Sequence, residues 1–137
     1  MNVNWLIEQA IEARQKAYVP YSSFQVGAAL LTENDKLYLG CNIENASYGL
    51  TNCAERTAIF KAVSEGENRV KAIAIVGDTE GPISPCGACR QVIAEFSDDN
   101  TKIILANLNG DFVETTINEL LPGFLDLSQY FRHKKVK

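Results

Sequence analysis

Apolar residues recur near the start of the chain at intervals of three and four. Leu6, Ala10, Ala13 and Ala17 form one stripe with Ile7 and Ile11 beside it, which predicts an amphipathic helix that Pro20 stops. The period then changes. Phe24 to Leu31 is rich in apolar residues, Glu33-Asn34-Asp35 is a turn, and Lys36 to Leu39 follows, so a β-hairpin is predicted. A second helix is expected from Asn52 or Cys53 to about Glu65, with Gly66 supplying a left-handed cap. Val70 to Val76 and Thr101 to Ala106 are near-continuous apolar runs, as in strands covered on both faces. Between them, Cys89, Val92, Ile93 and Phe96 fall at i, i+3, i+4 and i+7, the inward stripe of a third helix. A short strand around Phe112 to Thr115 and a helix around Ile117 to Leu121, ended by Pro122, complete the pattern. Strands alternating with helices predict an α/β layered sheet that opens with an antiparallel hairpin.

Neither repeats nor a Pro/Gly-rich linker interrupt the 137 residues, so residues 1–137 read as a single domain. The formal net charge of −4 leaves no broad basic face for a phosphate backbone, which argues against a nucleic-acid partner. The one basic cluster, Arg132, Lys134, Lys135 and Lys137, reads as a solvated tail. The N-terminal Met1-Asn2-Val3-Asn4-Trp5 has no secretory pattern and no apolar run reaches the length of a membrane span, so a cytoplasmic protein with no membrane partner is expected. There the four cysteines would stay reduced, and clustered ones read as metal ligands or redox groups.

Two segments carry candidate chemistry: Asn52-Cys53-Ala54-Glu55-Arg56 and Pro85-Cys86-Gly87-Ala88-Cys89-Arg90. Cysteines three apart at a helix start point both sulfurs to one side, and a helix N-terminus favours the thiolate that a metal needs. Cys53, at the start of another helix, offers a third sulfur, and three protein ligands leave one position of a tetrahedral zinc open. The alternatives are a dithiol redox pair and a closed structural site, with Cys41 or the sole histidine, His133, as fourth ligand. Glu55, two residues past one ligand, reaches a metal-bound water only at the mouth of the helix. Three thiolates leave net negative charge around a divalent ion. Arg56 is therefore expected to hydrogen-bond sulfur, whereas for Arg90 a surface ion pair is an equal alternative.

The Cys-Ala-Glu-Arg and Pro-Cys-Gly-Ala-Cys-Arg-Gln-Val segments resemble those of the short-chain cytidine deaminases, zinc-dependent nucleoside deaminases. The resemblance extends through Pro20 to Leu30, Gly40 to Tyr48 and Leu120-Leu121-Pro122, roughly residues 5 to 125. It implies a three-layer α/β/α sandwich around a mixed sheet of about five strands. It also implies hydrolytic deamination of free cytidine and deoxycytidine to the uridines with release of ammonia. One Zn2+ per chain would be held by Cys53, Cys86 and Cys89, and its hydroxide would attack C4 with Glu55 as proton shuttle. Substrate binding falls to Phe24 against the pyrimidine, to Asn42 and Glu44 on the ribose 3′-hydroxyl, and to Ala46, Tyr48 and Ala54. The family's short form is a homotetramer whose neighbouring subunits complete each active site, with Tyr48 a candidate for subunit contact. One departure stands out. Members place a phenylalanine three residues after the Leu-Pro proline, over the base in an adjacent subunit; here Phe124 comes two residues after Pro122, and Leu125 fills the usual place. The nearest rival is a deaminase of the same fold acting on an aminonucleoside antibiotic, a free base or a polynucleotide. A non-enzymatic zinc module and a redox protein rank below it.

Overall fold

The computed structural model describes residues 1–129; the basic tail and His133 lie outside the described residues. Helix α1 spans Val3–Arg14, and the Asn2 side chain caps it by accepting from Trp5 N at 3.1 Å. The hairpin follows as β1 (Val26–Thr32) and β2 (Leu37–Cys41), with Asp35 in the left-handed conformation at its turn. Then come α2 (Ala54–Ser64), β3 (Val70–Gly77), α3 (Gly87–Glu95), β4 (Lys102–Asn107), β5 (Phe112–Thr115) and α4 (Ile117–Leu120). Gly66, with φ of +93°, ends α2 as expected.

The five strands form one mixed sheet in the order β2-β1-β3-β4-β5. Only β3 and β4 run parallel, joined through α3; the other neighbours are antiparallel. Alternate residues of the central strands face opposite layers. Ala29, Leu31, Ala72, Ala74, Val76, Ile104 and Ala106 pack with Leu6, Ile7 and Ala10 of α1. Ala28, Leu30, Ile73, Ile75, Ile103 and Leu105 pack with Ala54, Ala58 and Ile59 of α2, Ile93 of α3 and Ile117 of α4. This is the three-layer α/β/α sandwich, and burial of both sheet faces explains the unbroken apolar runs of β3 and β4.

One boundary departs from the pattern. Helix α1 ends at Arg14, and Ala17 lies beyond it, well before Pro20. The chain leaves the helix through tight bonds from Lys16 N to Ala13 O and Ala17 N to Arg14 O. Tyr18 is then drawn into a bridge with Ile43: Tyr18 N donates to Asn42 O at 3.0 Å and Glu44 N to Tyr18 O at 2.9 Å. Two bonds to a segment distant in sequence replace one further helical turn.

Glycines set how closely helices approach the sheet. A Cβ on Gly40 would lie 2.4 Å from Ala54 O and 2.5 Å from Ala58 N, backbone atoms at the start of α2. Gly40→Ala is therefore expected to push α2 off β2 and to cost about 1–3 kcal/mol of stability. The measurement is thermal unfolding, and an unchanged Tm would contradict the close approach.

Candidate active site

Cys53 is the N-cap of α2 and Cys86 the N-cap of α3, both extended in backbone, and neither side chain caps its helix. Each thiol stands where a capping oxygen ordinarily sits, free to face outward from the positive end of a helix. Cys89, the third residue of α3, is fully buried behind them. The three Sγ atoms lie within 4.8 Å of one another, and they form this cluster without a fourth residue among those described. Cys41 sits apart on β2, half-buried.

The donor set fits zinc. Tetrahedral coordination with Zn–S bonds of about 2.3 Å sets sulfurs about 3.8 Å apart, and Cys53 Sγ and Cys86 Sγ stand at 4.0 Å. Arg56 Nη2 donates to Cys53 Sγ at 3.2 Å, as the charge on three sulfurs requires. Its Nε is buried without a partner, so the guanidinium is committed to this cluster. The hydrogen bond from Cys89, and then Arg56, hold the Cys53 thiol down at about 5, while the Cys89 thiol is pushed up by the same shared bond and by burial. Together the pair holds one negative charge firmly and resists a second, the behaviour of a site completed by a cation. The three cysteines are thus the site of one zinc ion per chain.

Glu55, the second residue of α2, is only 4% exposed. Burial raises its pKa, with the Cys53 charge adding to the effect and its own backbone N–H opposing it. Glu55 opens onto a cleft of about 460 Å3 that Phe24, Val26, Asn42, Thr51, Cys53 and Cys86 also line, within the size range of small-molecule sites. The Phe24 ring rests near the end of β3, where a Cβ on Gly77 would come within 3.1 Å of it. Asn42 accepts from Val26 N at 2.9 Å and donates Nδ2 to Phe24 O at 2.8 Å.

Of the sequence-derived candidates, Phe24, Asn42, Cys53, Ala54, Glu55 and Cys86 share this cleft. Glu44 and Tyr48 line an adjoining hollow with Tyr21, Ser22 and Thr51, and Thr51 borders both. Glu44 accepts from Tyr21 N at 3.0 Å, from Ser22 N at 3.1 Å and from the Ser22 hydroxyl. That hydroxyl, then the backbone donors, hold its carboxyl below the usual range. Ala46 is exposed and lines neither space. Arg90 does not reach sulfur; it bonds three oxygens instead. Sequence reasoning passed over Thr79, Pro82, Ile83 and Ser84, which form a wall of the cleft. Their signal was positional: they leave the C-terminal end of β3, where parallel strands of open α/β sheets present ligand sites.

Arg56→Gln is expected to weaken zinc binding roughly 10–100-fold, as for other groups that support a metal ligand. Loss of the guanidinium raises the Cys53 thiol part-way from about 5 towards its ordinary value. Zinc must then displace a proton, so the deficit should widen as pH falls below 9. Competition with a chelator across that range checks both effects, and an unchanged affinity would remove Arg56 from the site.

Residues 1–105 match the family model described as the cytidine and deoxycytidylate deaminase zinc-binding region. The chain is similar to a cytidine deaminase of Sporosarcina psychrophila, 62% identical over 123 residues covering 90% of each protein. It is 63% identical to that of Halalkalibacterium halodurans over 123 residues, 90% of this chain and 93% of the relative. The crystal structure of cytidine deaminase from Burkholderia pseudomallei superposes with a TM-score of 0.88 at 53% identity, covering 91% of this chain and 100% of that one. With a family model matching residues 1–105 and relatives 62% and 63% identical over 90% of the chain, the chain belongs to the cytidine deaminase family, in its short bacterial form.

Proposed function

We propose that the chain, as one deaminase domain over residues 1–137, hydrolyses free cytidine and deoxycytidine to uridine and deoxyuridine with release of ammonia, a step of pyrimidine salvage. The observation that carries this reading is the meeting of three sulfurs and the buried Glu55 at a cleft sized for a small molecule. Zinc held by Cys53, Cys86 and Cys89 supplies a Lewis acid that makes water acidic and nucleophilic. Glu55 takes one proton from the attacking water oxygen and delivers it to N3 of the pyrimidine. It then takes the second from the new C4 hydroxyl, which becomes the carbonyl, and passes it to the departing amine, so that ammonia leaves rather than an amide anion. A carboxyl raised by burial holds a proton more readily than an ordinary one, which suits a group that must take a proton and hand it on. Arg56 tempers the sulfur charge that would otherwise make the water less acidic.

The remaining roles follow from what each side chain has left to offer. Phe24 presents an aromatic face to the pyrimidine. Asn42 keeps one Nδ2 proton and one oxygen lone pair, and Glu44 keeps one lone pair, beyond the bonds they already make; these suit the ribose 3′-hydroxyl. Ala54, with no side chain beyond Cβ, leaves room at the mouth of α2. Tyr48 is 75% exposed and Leu50 71%, and Tyr21 meets Tyr48 edge to face at 5.9 Å. So much apolar surface beside a cleft supports a homotetramer in which neighbouring subunits, contacting Tyr48, complete each site. Phe124 packs against its own core whereas Leu125 is exposed, which favours Leu125 as the residue that covers the base next door. No helix among the described residues is long and apolar enough to cross a membrane. Three free thiolate ligands suit the reducing cytoplasm, and the net charge of −4 argues against nucleic acid.

The test follows the loss of pyrimidine absorbance with cytidine, deoxycytidine, cytosine and CMP, with and without a chelator. Turnover of the two nucleosides alone, abolished by the chelator, is expected; turnover confined to cytosine or CMP would overturn the assignment. Glu55→Gln should retain one zinc per chain and lose roughly 100- to 10,000-fold in kcat. Retention of substantial kcat would take the proton shuttle away from Glu55.

A further inference from the structure

Residues 78–86, between β3 and α3, have no regular secondary structure, yet they supply Thr79, Pro82, Ile83, Ser84 and Cys86 to the cleft. Irregular backbone keeps one conformation only through bonds to its surroundings, because ordering it costs entropy that no helix or sheet ladder offsets. The early part of the link is held from β4. Asn107, fully buried, donates Nδ2 to Glu80 O at 2.9 Å, and Ile83 N donates to Ala106 O at 3.3 Å. The late part, which must place Cys86, is held by one side chain. Arg90 donates Nε to Pro85 O at 2.9 Å and Nη2 to Ser84 Oγ at 2.8 Å. Its Nη1 reaches the other way, to the carbonyl of Leu120 at the end of α4. The next residue, Gln91, donates Nε2 to Leu125 O at 3.0 Å.

We propose that Arg90 is a positioning residue for Cys86. It clasps the Ser84 hydroxyl and the Pro85 carbonyl to the base of the C-terminal segment, so that one guanidinium fixes both a sulfur ligand and the loop wall of the cleft. The metal and substrate in this inference rest on the deaminase reading above; the clasp itself rests on the three bonds. Cys86 needs such a device more than its companions do. Cys89 is fully buried within α3, and Cys53 follows Asn52, which is bridged to Ile43. Cys86 is exposed, and although its carbonyl accepts from Arg90 N at 3.0 Å as the N-cap of α3, the chain that leads into it is irregular. The planar fork of arginine spans two segments at once, which a lysine ammonium, with its three donors on one nitrogen, does not.

The experiment compares the wild-type holoenzyme with Arg90→Gln, Arg90→Lys and Ser84→Ala. It records the rate of zinc transfer to a chelator, KM and kcat for cytidine in excess zinc, and thermal unfolding. Arg90→Gln is expected to lose zinc roughly 10–100-fold faster, with KM raised by a larger factor than kcat falls. Arg90→Lys should move both in the same direction, because charge alone does not restore the clasp. Ser84→Ala removes one strand of it and should give a smaller shift of the same sign. A lowered Tm with wild-type zinc transfer and an unchanged KM-to-kcat balance would overturn the proposal, as would full rescue by lysine. If Arg90→Gln does not fold, Ser84→Ala decides alone, and wild-type zinc transfer in that variant refutes the clasp. Zinc transfer is read without substrate. Faster transfer in a chain that fails to deaminate cytidine would therefore refute the proposed reaction and still support the clasp.

Discussion

Cys53 and Cys86 each occupy the residue before the first turn of a helix, where asparagine, serine or aspartate would ordinarily satisfy free backbone N–H groups, and neither thiol does so. The two helix mouths are left electropositive and turned towards one point, with the third sulfur one turn inside α3. Bringing three thiolates within 4.8 Å of one another is unfavourable by simple repulsion, and the opposed shifts of Cys53 and Cys89 express it: the first charge is welcomed, the next resisted. The helix ends and Arg56 offset part of that repulsion, and a divalent cation removes the rest. Glu55 belongs to the same constraint. Placed at the second position of α2 it shares the helix mouth with Cys53, and its own burial there raises its carboxyl.

The fold serves this point by fixing where the two helices begin. Helix α2 lies against β2 at a distance that only Gly40 permits, and Ala54 and Ala58 present the small surface that such an approach needs. Helix α3 crosses between the parallel strands β3 and β4, so its start is confined to their C-terminal ends. Both helices then pack on the same face of the sheet, around Ile59, Ile73, Ile93 and Ile103. A helix of eleven residues and one of nine would be marginal alone; anchored by that common layer, their mouths stay in register with each other.

Much of this was legible in the residues because it is written in local periods. Each strand and helix left its spacing in the chain, and the buried runs of β3 and β4 revealed a sheet covered on both faces. The clustered cysteines alone fitted a redox pair or a closed site as well as an open one; the ligand set and the role of Glu55 became legible through the resemblance of the segments that carry them to the deaminase family. What stayed hidden was non-local. The end of α1 is decided by the Tyr18–Ile43 bridge, formed by residues 25 positions apart, so the stripe continuing to Ala17 misled. The wall from Thr79 to Ser84 has no period at all, and only its place after β3 marks it. Glu44 gave no sign that it also braces the Tyr21-Ser22 turn ahead of Phe24.

Arg56 and Arg90 show why residue type near a ligand does not settle a role. Both follow a cysteine ligand closely, both lie in the first turn or so of a helix, and the need to offset sulfur charge applies to either. Their surroundings separate them. Arg56 has a sulfur at 3.2 Å and a buried Nε with no oxygen to take, so its charge remains available to the cluster. Arg90 gives three of its five donors to oxygens of Ser84, Pro85 and Leu120, which orient the guanidinium along the loop instead of onto a sulfur. One arginine therefore acts on the ligands through charge and the other through geometry. The difference arises because α2 is entered from a bridged segment that needs no bracing, whereas α3 is entered from a bare loop that does.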